Sequence, residues 1–194
     1  MTALLLLFGL VCAYLAGSVN FAILLFRWLG KGDPRSRFSG NPGVTNVFRQ
    51  AGWLLATLVL LLDVGRAMAV ALLARYFWPD ALVPWAGYAL ILGNHLPCFH
   101  GWRGGKGVAN YLGFYALLLP LGTGLALAAY VLIFALTRVP FFGSFGILAT
   151  LTGFGLVRWA HAPLALAGVL ITAGSIVWFH RGNLAGWWQS RAGR

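Results

Sequence analysis

The chain has 194 residues, 60% of them hydrophobic and 9% charged, with a mean hydropathy of +0.83. A soluble domain carries about a quarter charged residues, so the composition excludes a water-soluble globule and points to an all-α polytopic membrane protein, one domain over residues 1–194. The net charge of +11 could attract nucleic acid, but the cations lie in short loops between apolar runs, which fits orientation in a bilayer and no nucleic-acid partner.

Residues 3–26 are the first expected span. No basic segment precedes the apolar run, so it reads as a retained helix and not a cleaved signal. Gly17, Ser18 and Asn20 make its second half more polar than lipid favours, which turns that half toward other helices. A loop over 27–52 carries Arg27, Lys31, Arg35, Arg37 and Arg49. Residues 53–74 form the second span, with Asp63 and Arg66 three apart on one face. Charges at that depth must pair or face a polar interior; a structural ion pair and a direct site role are equally open. Residues 75–80 are a short loop, and 84–96 a third span. The stretch 109–137 is long for one span and is interrupted by Pro120-Leu121-Gly122-Thr123-Gly124. Residues 141–157 and 163–179 are the last two apolar runs, parted by Arg158, His161 and Pro163.

Charge parity decides how 109–137 is read. As one span, it puts Arg138 opposite Lys106, and Arg181, Arg191 and Arg194 opposite Arg35 and Lys106. As two short helices, it gathers all of these on one side and leaves only Arg75 and Arg158 as basic loop residues on the other. The positive-inside rule favours the second, and short helices are tolerable where protein shields their ends. The expectation is seven transmembrane helices, with the N-terminus outside (periplasmic) and the C-terminus cytoplasmic. The tail 184–194 reads as an amphipathic cytoplasmic end, and the tryptophans as interfacial belts.

Three polar segments then share the cytoplasmic face: 33–49, 93–110 and 180–183. In the second, Gly104, Gly105 and Gly107 flank Lys106, a composition that can turn sharply and present several N–H groups beside an ammonium to a phosphate. A glycine-rich turn with a snorkelling lysine is the equally simple alternative. The spacing is not that of a Walker A loop. Ser, Thr, Asn, Arg, Lys and backbone amides dominate all three segments, an inventory of donors for phosphate oxygens. Acids are confined to Asp33, Asp63 and Asp80, so there are no paired carboxylates for glycoside chemistry and no cluster for a metal. Cys12 and Cys98 stand far apart in apolar contexts, giving neither a disulfide framework nor a zinc site. A Ser-His-Asp triad would have to recruit Asp33. The better reading is a site without a protein nucleophile or cofactor, in which two phosphorylated substrates react directly through proximity and charge stabilisation.

Ser-Gly-Asn-Pro-Gly-x-Thr-Asn-x-x-Arg (39–49), Gly-Gly-Lys-Gly-Val-Ala (104–109) and His-x-x-Asn (180–183) resemble the three signatures of the acyl-phosphate-dependent glycerol-3-phosphate acyltransferases, the PlsY type. Order, spacing and intervening hydropathy match over nearly the whole chain. The resemblance implies a seven-helix enzyme of the bacterial inner membrane, its site facing the cytoplasm. Such an enzyme moves a fatty acyl group from acyl phosphate to the 1-hydroxyl of glycerol 3-phosphate, giving lysophosphatidic acid for phospholipid synthesis without a metal. It also implies Ser39, Lys106 and His180 as catalytic residues. Asn41, Thr45, Asn46, Arg49, Gly104, Gly105, Gly107 and Asn183 would bind substrate. Asn94 is expected to do so as a hydrogen-bond donor, and Arg35 reads equally as a phosphate ligand or as an orienting charge.

Four positions depart from the pattern. Asn94 stands where the family has His, and His95, one residue on, is turned by roughly 100° on a helix. Phe38 replaces a Gly ahead of Ser39, residues 138–143 lack the usual hydroxyls and include Pro140, and Asn110 replaces Thr. A relative acylating a different acceptor, or a lipid or phosphometabolite transporter, is the alternative. His100 reads as interfacial and His161 as a far-side loop residue.

Overall fold

The structure, a computed structural model, describes residues 2–192; Arg194, counted in the basic tail, lies outside them. Nine α-helices, three single 3-10 turns and no strand form among the described residues: α1 Ala3–Ser18, α2 Phe21–Trp28, α3 Val44–Phe77, α4 Val83–His95, α5 Val108–Leu118, α6 Pro120–Thr137, α7 Pro140–Arg158, α8 Pro163–Phe179 and α9 Arg181–Ala192. By length and composition α3, α6 and α7 can each cross a membrane; the bent pairs α1–α2 (42°) and α8–α9 (45°) bring the number to five if each is one span. The shorter α4 and α5, at 13 and 11 residues, fall below the roughly 20 residues a full crossing takes. The seven expected crossings count both as short spans.

Two expected boundaries move. The span 3–26 is broken after Ser18, because Asn20 caps a new helix by accepting from the Ile23 N–H (3.0 Å). A side-chain cap outcompetes the continuous ladder there. The loop 27–52 is helical from Val44 onward, and α3 turns at Gly52 (φ 81°, ψ −178°). Only glycine takes that backbone freely. The extra helix is stabilised by Val47, fully buried in a small cluster with Ala22, Phe26, Ala56 and Val59. The break inside 109–137 falls at Leu119 (φ −138°, ψ 62°), with Pro120 in the first turn of α6, where a missing N–H costs nothing.

Close helix approach at glycine builds the bundle, as expected where lipid offers no hydrophobic drive and contact must come from packing. Gly17 of α1 lies against the Leu90 carbonyl of α4, and Gly93 of α4 against the Tyr14 carbonyl of α1; a Cβ at either would strike backbone. Gly113 of α5 meets the backbone of Val64 in α3 in the same way. Leu90, Ile91, Tyr111, Phe114, Tyr115 and Leu151 fill the core, with Tyr111 and Thr152 sharing a hydroxyl hydrogen bond of 3.0 Å. Leu4, Phe8, Leu61, Leu72, Val131 and Leu132 stay outward, a lipid-facing girdle.

Candidate active site

A cavity of about 530 Å³ opens where α3, α5, α7 and α9 begin, and takes in all three polar segments. Ser39, Asn41, Thr45, Asn46 and Arg49 line it from the first, Asn94, Gly105, Lys106 and Gly107 from the second, and His180 and Asn183 from the third. Leu112, Leu127, Phe141, Ile147 and Trp187 add apolar wall, and Asp63, Asn110 and Ser144 line it as well. Helix α3 starts behind Gly43 and α5 behind Gly107, neither with a side-chain cap. A helix leaves its first N–H groups unpaired. Two positive helix ends therefore point donors toward one space, the arrangement that favours an anion.

Lys106 and Asn183 meet at the centre, the ammonium donating to the Asn183 Oδ1. Burial alone lowers the Lys106 pKa to about 8. His180 is buried, and its Nδ1 lies 2.8 Å from the Ile176 carbonyl. A carbonyl only accepts, so Nδ1 carries the proton and Nε2 keeps a lone pair. Burial, reinforced by the Lys106 charge and opposed by the Ile176 bond, pushes the His180 pKa down to about 4. The imidazole is neutral at neutral pH.

The sequence profile described as glycerol-3-phosphate acyltransferase matches residues 7–190. The chain belongs to that family. A glycerol-3-phosphate acyltransferase of Pseudomonas aeruginosa (strain LESB58) is 43% identical over 175 residues, 90% of this chain and 91% of the relative. One of Methylobacillus flagellatus is 39% identical over 180 residues, 90% of this chain and 89% of the relative. Crystal structures of PlsY, an integral membrane glycerol 3-phosphate acyltransferase, superpose with TM-scores of 0.88 in a glycerol 3-phosphate form and 0.85 in a lysophosphatidic acid form. The identities are 30% and 29%, and both cover 96% of this chain and 93% of theirs.

Within this family member, several sequence-picked residues have structural duties. Arg35 and Gly104 do not line the cavity. Arg35 grips both oxygens of Asp33 (2.6–3.0 Å) and donates to the carbonyls of His100 (2.7 Å) and Arg103 (2.9 Å). It staples the first segment to the second. Arg35 also holds the Asp33 carboxyl below the usual carboxylate range. Asp33 is thus occupied and outside the cavity, so it does not serve a Ser-His-Asp triad there; the aspartate that lines the cavity, Asp63, is paired with Arg66 (2.8 Å). The Gly104 and Gly105 amides bond the His95 and Asn94 carbonyls (3.0 and 2.9 Å), which removes them from a phosphate nest. These glycines are needed instead for contact: a Cβ on Gly104 would strike the Asn94 carbonyl. Asn46 lines the cavity, yet its Nδ2 donates to the Pro34 (2.9 Å) and Arg37 (3.3 Å) carbonyls. Its Oδ1 is buried without a partner.

Asn94 is buried against Gly105 and faces the cavity. His95 does not: its ring stacks on Phe179 at 3.5 Å and 13°, and Nδ1 lies 2.8 Å from the Gly105 carbonyl. The rotation of one helical step separates the two fates. His100, read as interfacial, is buried, its Nε2 accepting from the Asn20 N–H at 3.3 Å. Sequence reasoning passed over Ser144, which lines the cavity one residue beyond the hydroxyl-poor stretch. It also passed over Tyr130, as no motif marks an aromatic in an apolar run.

Proposed function

We propose that this cavity transfers a fatty acyl group from acyl phosphate to the 1-hydroxyl of glycerol 3-phosphate, releasing lysophosphatidic acid and phosphate. The observation that carries the reading is the joining of Lys106 to Asn183 inside a cavity lined both by donors and by apolar side chains. Phosphoryl oxygens would sit among Ser39, Thr45, Arg49, Lys106 and the first amides of α3 and α5, where donors converge. The one carboxylate lining the cavity among the described residues, Asp63, is paired with Arg66. Asn41 and the turn at Gly105–Gly107 shape the phosphate region. The acyl chain would run along Leu112, Leu127, Phe141 and Ile147 toward lipid. His180 Nε2, neutral and unprotonated, accepts the glycerol hydroxyl and orients its lone pair at the carbonyl carbon. A pKa near 4 makes it a poor proton store, so the departing phosphate takes the proton as the C–O bond to phosphate breaks. Ser39, Lys106 and Arg49 stabilise the developing oxyanion and the leaving charge.

The chain is read as one membrane domain over 1–194 with seven crossings, α4 and α5 included. The N-terminus is then outside and the cavity on the cytoplasmic side of the inner membrane, a reading supported by the contacts that draw the basic loops together: Arg35 on the Arg103 carbonyl, Lys106 on Asn183 and Phe142 against Trp187.

Purified protein in lipid nanodiscs, given acyl phosphate and glycerol 3-phosphate, is expected to yield lysophosphatidic acid by mass spectrometry. An acyl-thioester donor is expected to yield none, and other phosphorylated or amino acceptors much less. Glycerol 3-phosphate crossing a sealed liposome without lysophosphatidic acid would establish the transporter instead.

A further inference from the structure

The break between α1 and α2 is not a passive bend. Arg66, in the middle of α3, donates to the Val19 carbonyl that the break leaves exposed. The same guanidinium pairs with Asp63 (2.8 Å) and donates to the Asn110 Oδ1 (2.7 Å) in the first turn of α5. Its plane also lies 5.0 Å over the Phe21 ring. Both ion-pair side chains are only 9% exposed. Next to Val19, Asn20 donates from its backbone to His100 Nε2 (3.3 Å) and from its side chain to the Pro42 carbonyl (3.4 Å). Pro42 precedes the Gly43 cap of α3, and Asn110 follows the Gly107 cap of α5. A single buried node therefore holds both helix ends that open into the cavity.

We propose that Arg66 and Asn20 are positioning residues, setting the α3 N-terminal segment against the Lys106 loop through the α1–α2 break. An arginine fits because three acceptors on three elements need a rigid fork of donors, which a lysine lacks. The cost of a buried ion pair in a span is offset only when all partners are in place. The inference rests on the acyl-transfer reading only for its kinetic consequence; the geometric consequence stands without it.

The test uses full-length protein in nanodiscs. Arg66→Lys keeps the charge opposite Asp63 and so remains folded, but cannot reach all three acceptors. Hydrogen exchange is expected to quicken at least tenfold in both 42–46 and 106–111, with 158–162 unchanged. Asn20→Ala is expected to quicken the same two segments, and the double variant to add little beyond the stronger single. Misplacement by about an ångström costs up to about a hundredfold in rate, so kcat is expected to fall ten- to a hundredfold while KM for glycerol 3-phosphate moves less than about threefold. Unchanged exchange in the two segments, or losses that multiply in the double variant, would overturn the proposal whether or not the wild type turns over. An inactive wild type with the expected exchange pattern would sink the acyl-transfer reading alone. A kcat loss explained by the unfolded fraction would reduce Arg66 to a structural residue.

Discussion

Lys106 and Asn183, 77 residues apart in the chain, are joined by a side-chain hydrogen bond from ammonium to amide oxygen. One comes from the loop before α5 and the other from the first turn of α9. The bond brings the second and third polar segments to one point, and Arg35 brings the first by bonding the His100 and Arg103 carbonyls. Everything proposed for the site depends on that convergence.

The Lys106 charge gives a pH signature. Its pKa, lowered to about 8 by burial, means the free protein loses the ammonium as pH rises through 8. A bound phosphate dianion favours the charged form and raises the value again. The kcat/KM profile should therefore fall above about pH 8 while kcat holds to higher pH. Lys106→Arg should move the alkaline limb beyond pH 10 in whatever activity it retains, and Lys106→Ala should abolish turnover. Unimpaired turnover in the alanine variant would rule out the phosphate assignment.

His180 predicts the acid side. Its pKa near 4 leaves it neutral throughout the range above pH 5, so it contributes no limb there. Any acid limb reports the substrate phosphates, whose second pKa is near 6. His180→Gln is expected to lower kcat at least tenfold and keep the limb where it was. A limb that vanishes in this variant would mean that His180 titrates during turnover.

The neighbours Asn94 and His95 should respond oppositely. Asn94→His adds a ring to the cavity wall and is expected to raise turnover; no change, or a loss, would favour a site adapted to other substrates. His95→Asn removes the stack on Phe179 and should lower the melting temperature, leaving kcat of the folded protein within about threefold.

Phe38 holds a left-handed backbone (φ 53°) while exposed at the edge of the first motif. A side chain there costs roughly 1–2 kcal/mol, partly offset by the entropy a glycine loses on folding. Phe38→Gly should stabilise the protein by up to about 1 kcal/mol in thermal unfolding, and Phe38→Ala, with the same strain, should not. Equal effects would place the benefit in the lost phenyl ring.

Much of this arrangement was legible in the residues. Pro120 and the positive-inside argument from Arg138 both asked for two helices within 109–137, and the chain does break at Leu119. The three motifs were visible because donors without acids are unusual in an apolar chain. What escaped were the local competitions. Asn20 in an apolar run reads as a buried polar residue until its amide is seen capping α2. Arg35 and Asn46 carry the donors of phosphate ligands, but the Asp33 carboxylate and the Pro34 carbonyl reach them first. The Asp63–Arg66 pair left two readings open, and its partners Val19 and Asn110 lie too far away in sequence for spacing to suggest them.

The most direct test of a pocket that lets two phosphorylated substrates react without a protein nucleophile is intact-protein mass spectrometry during turnover. Rapidly quenched protein should keep its unmodified mass while lysophosphatidic acid and phosphate accumulate one for one. An acyl adduct on Ser39 that forms and decays at the rate of turnover would contradict the account.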